Sequence, residues 1–230
     1  MLIMGLQKLT LLDFPGKMAA TVFTGGCNFR CPFCHNASLV LPKDYSPEFT
    51  EQEFFELLEK RQGVLEGVCI TGGEPTLQKD LPDFIKRIKD MGYLVKLDTN
   101  GFLPKKLKSL IDAGLVDYVA MDIKNCPEKY GETVGIESFN VTPILESVDI
   151  LKNSDIPFEF RTTVVKNFHT EADIIKIGNW LGSDVPLFLQ AFKDSGDLIS
   201  EGLVGFDEKE MQNLLNVLKP LVPSAQIRGI

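Results

Sequence analysis

Six short runs of branched and aromatic residues, each followed by an amphipathic stretch, constrain this chain more than any other feature. The runs are Ala19–Thr24, Gly67–Thr71, Leu94–Asp98, Tyr118–Asp122, Phe158–Val164 and Pro186–Gln190. Short, near-continuous apolar runs are what strands covered on both faces show. The stretches between them repeat apolar residues at helical spacing. Thr50-Glu51-Gln52-Glu53 reads as a capping box, with Phe54, Phe55 and Leu58 following on one face. Leu81, Phe84, Ile85, Ile88 and Met91 lead to a stop at Gly92, and Leu107, Leu110 and Ile111 lead to Gly114. Ile144, Val148 and Leu151 mark the next helix and Ile174, Ile177 and Leu181 the one after it. Met211, Leu214, Leu215 and Leu218 mark the last, opened by Asp207 and closed before Pro220. All of these rows read as core-facing.

Strand–helix alternation of this kind implies a parallel sheet with right-handed crossovers. A closed eight-unit barrel takes about 250 residues, and the chain has 230. The expected fold is therefore α/β, an open, partial (β/α)6 TIM-like barrel with its chemistry at the C-terminal strand ends. No linker, repeat or low-complexity tract interrupts it. Residues 1–230 read as one domain, with a core over about 18–200 and a C-terminal helix and tail, 206–230, packing on it.

Composition removes several classes. There are 32 acidic against 24 basic residues, a net charge of −8, which argues against a general nucleic-acid or anionic-membrane binder. No apolar run reaches the roughly 18 residues a membrane span needs. The N-terminus lacks the basic start, long apolar stretch and cleavage site of a signal peptide, so a cytoplasmic location is expected. Five cysteines, three of them within eight residues, do not make a disulfide scaffold.

Those three lie in Gly25-Gly26-Cys27-Asn28-Phe29-Arg30-Cys31-Pro32-Phe33-Cys34-His35-Asn36, directly after the first run, spaced C-x3-C-x2-C. Structural zinc wants four tetrahedral ligands, usually in two pairs. Cys69 sits in a strand, Cys126 reads as a loop thiol, and His35 adjoins Cys34, so no second pair is evident. Three thiolates on a four-iron cluster would leave one iron free for another ligand. Spacing alone leaves zinc and iron–sulfur both open.

Other polar motifs also fall at strand ends. Thr71-Gly72-Gly73-Glu74-Pro75 lets a ligand approach the backbone and offers a carboxylate to an ammonium group. Leu97-Asp98-Thr99-Asn100-Gly101 and Met121-Asp122-Ile123-Lys124 bring two carboxylates and a lysine to adjacent strand ends, where surface salt bridging is the plain alternative. Lys124 could pair with a substrate carboxylate. Arg161 and Thr163 face core or ligand; alternation does not decide which. His169 reads as a solvated loop histidine. Cys69 and Cys126 receive no role, and Lys105-Lys106-Leu107-Lys108 reads as a solvated face or a basic docking patch.

Cys27-x3-Cys31-x2-Cys34, with Phe33 before the third thiol, resembles the signature of the radical S-adenosylmethionine enzymes. Within them the chain resembles the activating enzymes of glycyl-radical enzymes. Leu12-Asp13-Phe14-Pro15-Gly16, Thr24-Gly25-Gly26-Cys27 and Cys34-His35-Asn36 look most like the anaerobic ribonucleoside-triphosphate reductase activating proteins. The likeness to pyruvate formate-lyase activating enzyme is looser. The resemblance covers nearly the whole chain and implies a radical SAM core, with one [4Fe–4S] cluster on Cys27, Cys31 and Cys34. Residues 35–68 hold no further cysteine, so no auxiliary cluster is expected.

The resemblance also implies S-adenosylmethionine held by Phe33, Asn36, Gly72, Gly73, Glu74, Asp98, Asn100, Asp122, Lys124, Arg161 and Thr163. In the family the Gly72-Gly73-Glu74 motif binds the cofactor's amino group. A monovalent cation is implied as well, with Asp98 and Asp122 as side-chain ligands and Thr99 and Ala120 giving backbone oxygens. Some relatives carry a late-strand histidine where this chain has Phe192 and Lys193. The implied activity is that of an oxidoreductase. It cleaves S-adenosylmethionine reductively to a 5′-deoxyadenosyl radical, which takes a hydrogen from a glycine of a partner glycyl-radical enzyme. A flavodoxin- or ferredoxin-type protein would donate the electron. Rival readings are a radical enzyme acting on a small molecule or peptide, and a non-catalytic zinc- or cluster-binding interaction module.

Overall fold

A computed structural model describes residues 1–41, 46–194 and 196–230. In chain order its elements are β1 (Ile3–Thr10), β2 (Ala19–Thr24), α1 (Ala37–Val40), α2 (Glu51–Lys60), β3 (Gly67–Gly72), α3 (Leu81–Asp90) and β4 (Leu94–Thr99). There follow α4 (Pro104–Asp112), β5 (Tyr118–Asp122), α5 (Tyr130–Val134), α6 (Thr142–Lys152) and β6 (Phe158–Val164). The chain ends with α7 (Glu171–Leu181), β7 (Leu187–Ala191), α8 (Glu208–Leu218) and β8 (Gln226–Arg228).

One sheet carries all eight strands in sequential order. β2 to β8 run parallel, and β1 pairs antiparallel with β2. Among the described residues no pairing joins β1 to β8, so the curved sheet is a partial barrel. Three expected strands, Ala19–Thr24, Tyr118–Asp122 and Phe158–Val164, form with the bounds read from sequence. The other three differ by one residue. β1 was not anticipated: it is an edge strand, largely half-buried or exposed between Ile3 and Thr10, so its apolar pattern is diluted. β8 has only three residues.

Helices cover the outer face. Thr50 and Glu53 form the expected capping box at α2, and the same device opens α7 (Thr170, Asp173) and α8 (Asp207, Glu210). The buried face of α2 meets α3 through aromatic rings: Phe54 stacks on Phe84 at 5.1 Å and Phe55 meets it edge-on at 5.3 Å. α8 presses on α7 at Gly178, where a Cβ would lie 2.8 Å from Leu218 Cδ1. The β1–β2 hairpin tucks under the barrel. There Phe14 is buried against Tyr118, and the Thr21 hydroxyl donates to Asp13 at 2.5 Å. No helix among the described residues is long and apolar enough to cross a membrane.

Phe84→Ala should lower unfolding free energy by about 3–5 kcal/mol, because a cavity replaces a ring touched on two sides. The exposed Lys86→Ala, which loses only a surface pair with Asp90, should change it by less than about 0.5 kcal/mol. Urea unfolding followed by far-UV circular dichroism checks both.

Candidate active site

The C-terminal ends of the parallel strands open onto a cavity of about 460 Å³. Cys27, Cys31 and Cys34 line it, on the loop that leaves β2. That loop is pinned by its backbone. Gly26 N–H donates to Leu39 O at 2.8 Å, Arg30 N–H to Val134 O at 2.9 Å and Cys34 N–H to Cys31 O at 3.0 Å. Phe29 anchors it from behind, edge-on to Phe102 and Phe139. Burial pushes the Cys27 thiol up to about 11 and the Cys31 thiol up to about 12. Such thiols lose their protons to a metal rather than to water.

Against the thiol loop lies the turn after β3. Gly72 has φ +112°, and a Cβ on Gly73 would stand 2.0 Å from Gly26 O, so only glycine lets the two loops meet. Gly73 N–H donates to Thr24 O and Glu74 N–H to Gly26 O, both at 2.8 Å. Asn36 Nδ2 donates to Gly72 O at 3.3 Å. Glu74 itself is 1% exposed. Its carboxylate accepts from Thr76 N–H at 3.0 Å, the Thr76 hydroxyl, the Thr99 hydroxyl at 2.8 Å and Asn100 N–H at 2.7 Å. Burial pushes this carboxyl above its usual range against those donors. Glu74, expected to offer its carboxylate to an ammonium group, braces the end of β4 against the turn after β3, with three of these contacts on Oε1 and one on Oε2.

On the barrel's inner face Asp98, Asp122, Lys124 and Arg161 converge. Arg161 donates to Asp98 Oδ2 from Nη1 and to Asp122 Oδ1 from Nε, each at 3.0 Å. Lys124 Nζ donates to Asp122 Oδ2 at 2.9 Å, and Lys96 pairs with Asp98 Oδ1. Burial disfavours the Asp122 carboxylate, yet Arg161 and Lys124 outweigh it and hold the carboxyl down to about 2. Burial likewise opposes the Lys124 ammonium, but Asp122 and the cysteines raise its pKa. Surface salt bridging does not describe this cluster, since Lys96 is 2% and Asp98 13% exposed. Sequence reasoning missed Lys96. Its signal was the two-residue step to Asp98, which puts both on one face of β4.

The remaining expected residues are placed as follows. Phe33 is buried against Phe168 and His169, at 5.6 and 6.3 Å between ring centroids, and lines the cavity. Asn100 and Thr163 also line it. Asn100 Nδ2 donates to Asn28 Oδ1 at 2.9 Å, and the Thr163 hydroxyl faces Gln190 at 3.4 Å. Ala120 is fully buried within β5. Phe192 is buried and stacks on His35 at 5.3 Å, while Lys193 contributes its carbonyl to His35 Nε2 at 2.8 Å.

One reading is corrected. His169 is not solvated: it is 2% exposed, with Nδ1 3.2 Å from Val165 N and Nε2 2.8 Å from Lys124 O. Cys126 lies in the loop after β5, as expected, and is buried there beside Asp173 at 3.8 Å. In the Lys105–Lys108 run Lys105 and Lys108 are exposed, as a solvated helix face requires, while Lys106 holds Thr76 O and Gln78 O and Lys108 pairs with Asp112.

Among the described residues no three His, Cys, Asp or Glu side chains converge on a single metal ion. The donors around the cavity are three thiols on one loop. His35, Cys69 and Cys126 are each held elsewhere. That set suits a polynuclear cluster with one metal open to a further ligand, beside glycine backbone a cofactor can approach.

The fold and site thus define a partial barrel built to hold a thiolate-ligated cluster next to a polar small molecule. Residues 21–181 match the model of the radical SAM superfamily, and the chain belongs to that superfamily, whose enzymes use a [4Fe–4S] cluster and S-adenosylmethionine. A Methanocaldococcus jannaschii protein provisionally named a glycyl-radical enzyme activating enzyme is 36% identical over all of this chain and 96% of its own length. A Campylobacter jejuni GTP 3′,8-cyclase is 34% identical over 64% of this chain and 47% of its own. The S-adenosylmethionine-bound SuiB of Streptococcus suis superposes with a TM-score of 0.71 at 13% identity, over 90% of this chain and 49% of that one.

Glu74→Ala should lower stability by roughly 2–4 kcal/mol, since it strands several buried donors; the urea midpoint measures this. His169 accepts from Val165 N–H and is held neutral by burial, which lowers its pKa. Its contribution is complete above the unfolded value of about 6.5 and is lost as pH falls below it. The gap in melting temperature between wild type and His169→Gln should therefore narrow on going from neutral to mildly acidic pH.

Proposed function

We propose that the chain activates a glycyl-radical enzyme, of the anaerobic ribonucleoside-triphosphate reductase type, by removing a hydrogen atom from one glycine of that partner. The observation that carries this reading is the 36% identity extending over the whole chain and nearly the whole of the M. jannaschii relative. The reductase type rests on the Leu12–Gly16, Thr24–Cys27 and Cys34–Asn36 segments. When bound, the cluster and S-adenosylmethionine supply one-electron reductive cleavage of the sulfonium and so the radical.

The chain's own residues bind, orient and enclose. Cys27, Cys31 and Cys34 ligate iron, and the backbone of Gly72 and Gly73 admits the methionyl group, held in register by Glu74. Asp98, Asp122, Lys124 and Arg161 present fixed charges to the cofactor's polar groups, so little reorganisation is needed during reaction. Phe33, Asn36, Asn100 and Thr163 complete the wall. A flavodoxin- or ferredoxin-type protein is the proposed electron donor. The open side of the barrel suits a protein loop as substrate. The local likeness to GTP 3′,8-cyclase favours a second reading, a radical enzyme acting on a small molecule.

The test is anaerobic incubation of the reconstituted protein with reductant, S-adenosylmethionine and an anaerobic ribonucleoside-triphosphate reductase, followed by electron paramagnetic resonance. A glycyl-radical doublet formed by wild type and absent with Cys31→Ala is expected. Formation of 5′-deoxyadenosine without a radical on that reductase or on pyruvate formate-lyase would move the assignment to the second reading.

A further inference from the structure

The family resemblance implies a monovalent cation between Asp98 and Asp122, and the residues present do not fit one. Each of the four carboxylate oxygens already has a cationic donor. Asp98 Oδ1 takes Lys96 and Asp98 Oδ2 takes Arg161. Asp122 Oδ1 takes Arg161 again, and Asp122 Oδ2 takes Lys124. Three side-chain cations thus occupy every oxygen of these two carboxylates before any ion is added. Sodium or potassium needs oxygens whose lone pairs are not already spent on ammonium or guanidinium hydrogens. Of the two backbone oxygens expected as ligands, that of Ala120 lies inside the sheet. Ala120 is 0% exposed and lies in mid-sheet, registered with Asp98 of β4 and Glu159 of β6.

The register explains why a guanidinium can stand there. Arg161 on β6 lies directly beside Asp122 on β5, and Asp98 on β4 is one strand further along the same inner face. An arginine fork spans that distance with two separate donors, which a compact ammonium could not do. Arg161 is also 15% exposed, so the pairs it makes are only weakly screened by solvent.

We propose that Arg161 is a tethered substitute for the monovalent cation, and that this chain binds S-adenosylmethionine without sodium or potassium. The inference rests on the cofactor site and not on which partner is activated. Arg161 here is a positioning residue: it fixes the separation of Asp98 and Asp122.

The experiment measures S-adenosylmethionine affinity of the reconstituted protein by anaerobic titration calorimetry. Sodium, potassium and tetramethylammonium chloride are compared at equal ionic strength. Wild-type affinity is expected to agree within about twofold across the three salts. The melting temperature of the same protein before reconstitution should not distinguish them either. Arg161→Gln uncovers one oxygen on each carboxylate; its affinity in tetramethylammonium should fall, and sodium or potassium should restore it by about tenfold. Wild-type affinity that rises about tenfold in sodium or potassium would overturn the proposal. So would a folded Arg161→Gln that is indifferent to the ion. The wild-type series decides the matter even where that variant does not fold.

Discussion

The bond from Glu74 N–H to Gly26 O is the contact on which the rest of the site depends. It exists because Gly73 has no Cβ to collide with the same carbonyl. Through it, the loop bearing the three thiols and the turn after β3 become one rigid unit rather than two neighbouring loops. The buried Glu74 carboxylate extends that unit to β4 by holding Thr99 and Asn100. Asn100 in turn reaches back to Asn28 in the thiol loop. The circuit closes on itself, so a shift at any one strand end strains the others.

A second circuit, of charge, runs deeper in the barrel. Lys96, Asp98, Arg161, Asp122 and Lys124 alternate in sign along the inner face of β4, β5 and β6. Burying them offers little gain in stability, since desolvation offsets most of the attraction between buried ions. Apolar residues of similar size would pack the barrel at least as well. Their presence at the strand ends, beside the thiols, fits electrostatic preorganisation for a charged ligand better than it fits a structural need.

Sequence patterning shows the elements that are apolar throughout and loses those that are not. β2 to β7 were legible because both their faces are covered. β1 was not, because an edge strand carrying Gly5, Gln7 and Lys8 looks like a loop. In the site, cysteine spacing and strand-end position exposed the thiols, Asp98, Asp122 and Lys124. What patterning could not show was which polar groups satisfy each other. Glu74 read as a free acceptor because its four donors come from Thr76, Thr99 and Asn100, two of them on the far side of α3. His169 read as solvated because Lys124, whose carbonyl meets its Nε2, is distant in sequence. Lys96 was hidden among apolar neighbours, although its phase matched Asp98.

The central claim is that three thiols hold a cluster whose remaining metal is reserved for the cofactor. Mössbauer spectroscopy of the protein reconstituted with iron-57, with and without S-adenosylmethionine, tests it most directly. The account predicts a single [4Fe–4S] cluster per chain in which one iron differs from the other three and alone responds when the cofactor is added. Zinc retained in place of iron, or four iron sites that ignore the cofactor, would contradict it.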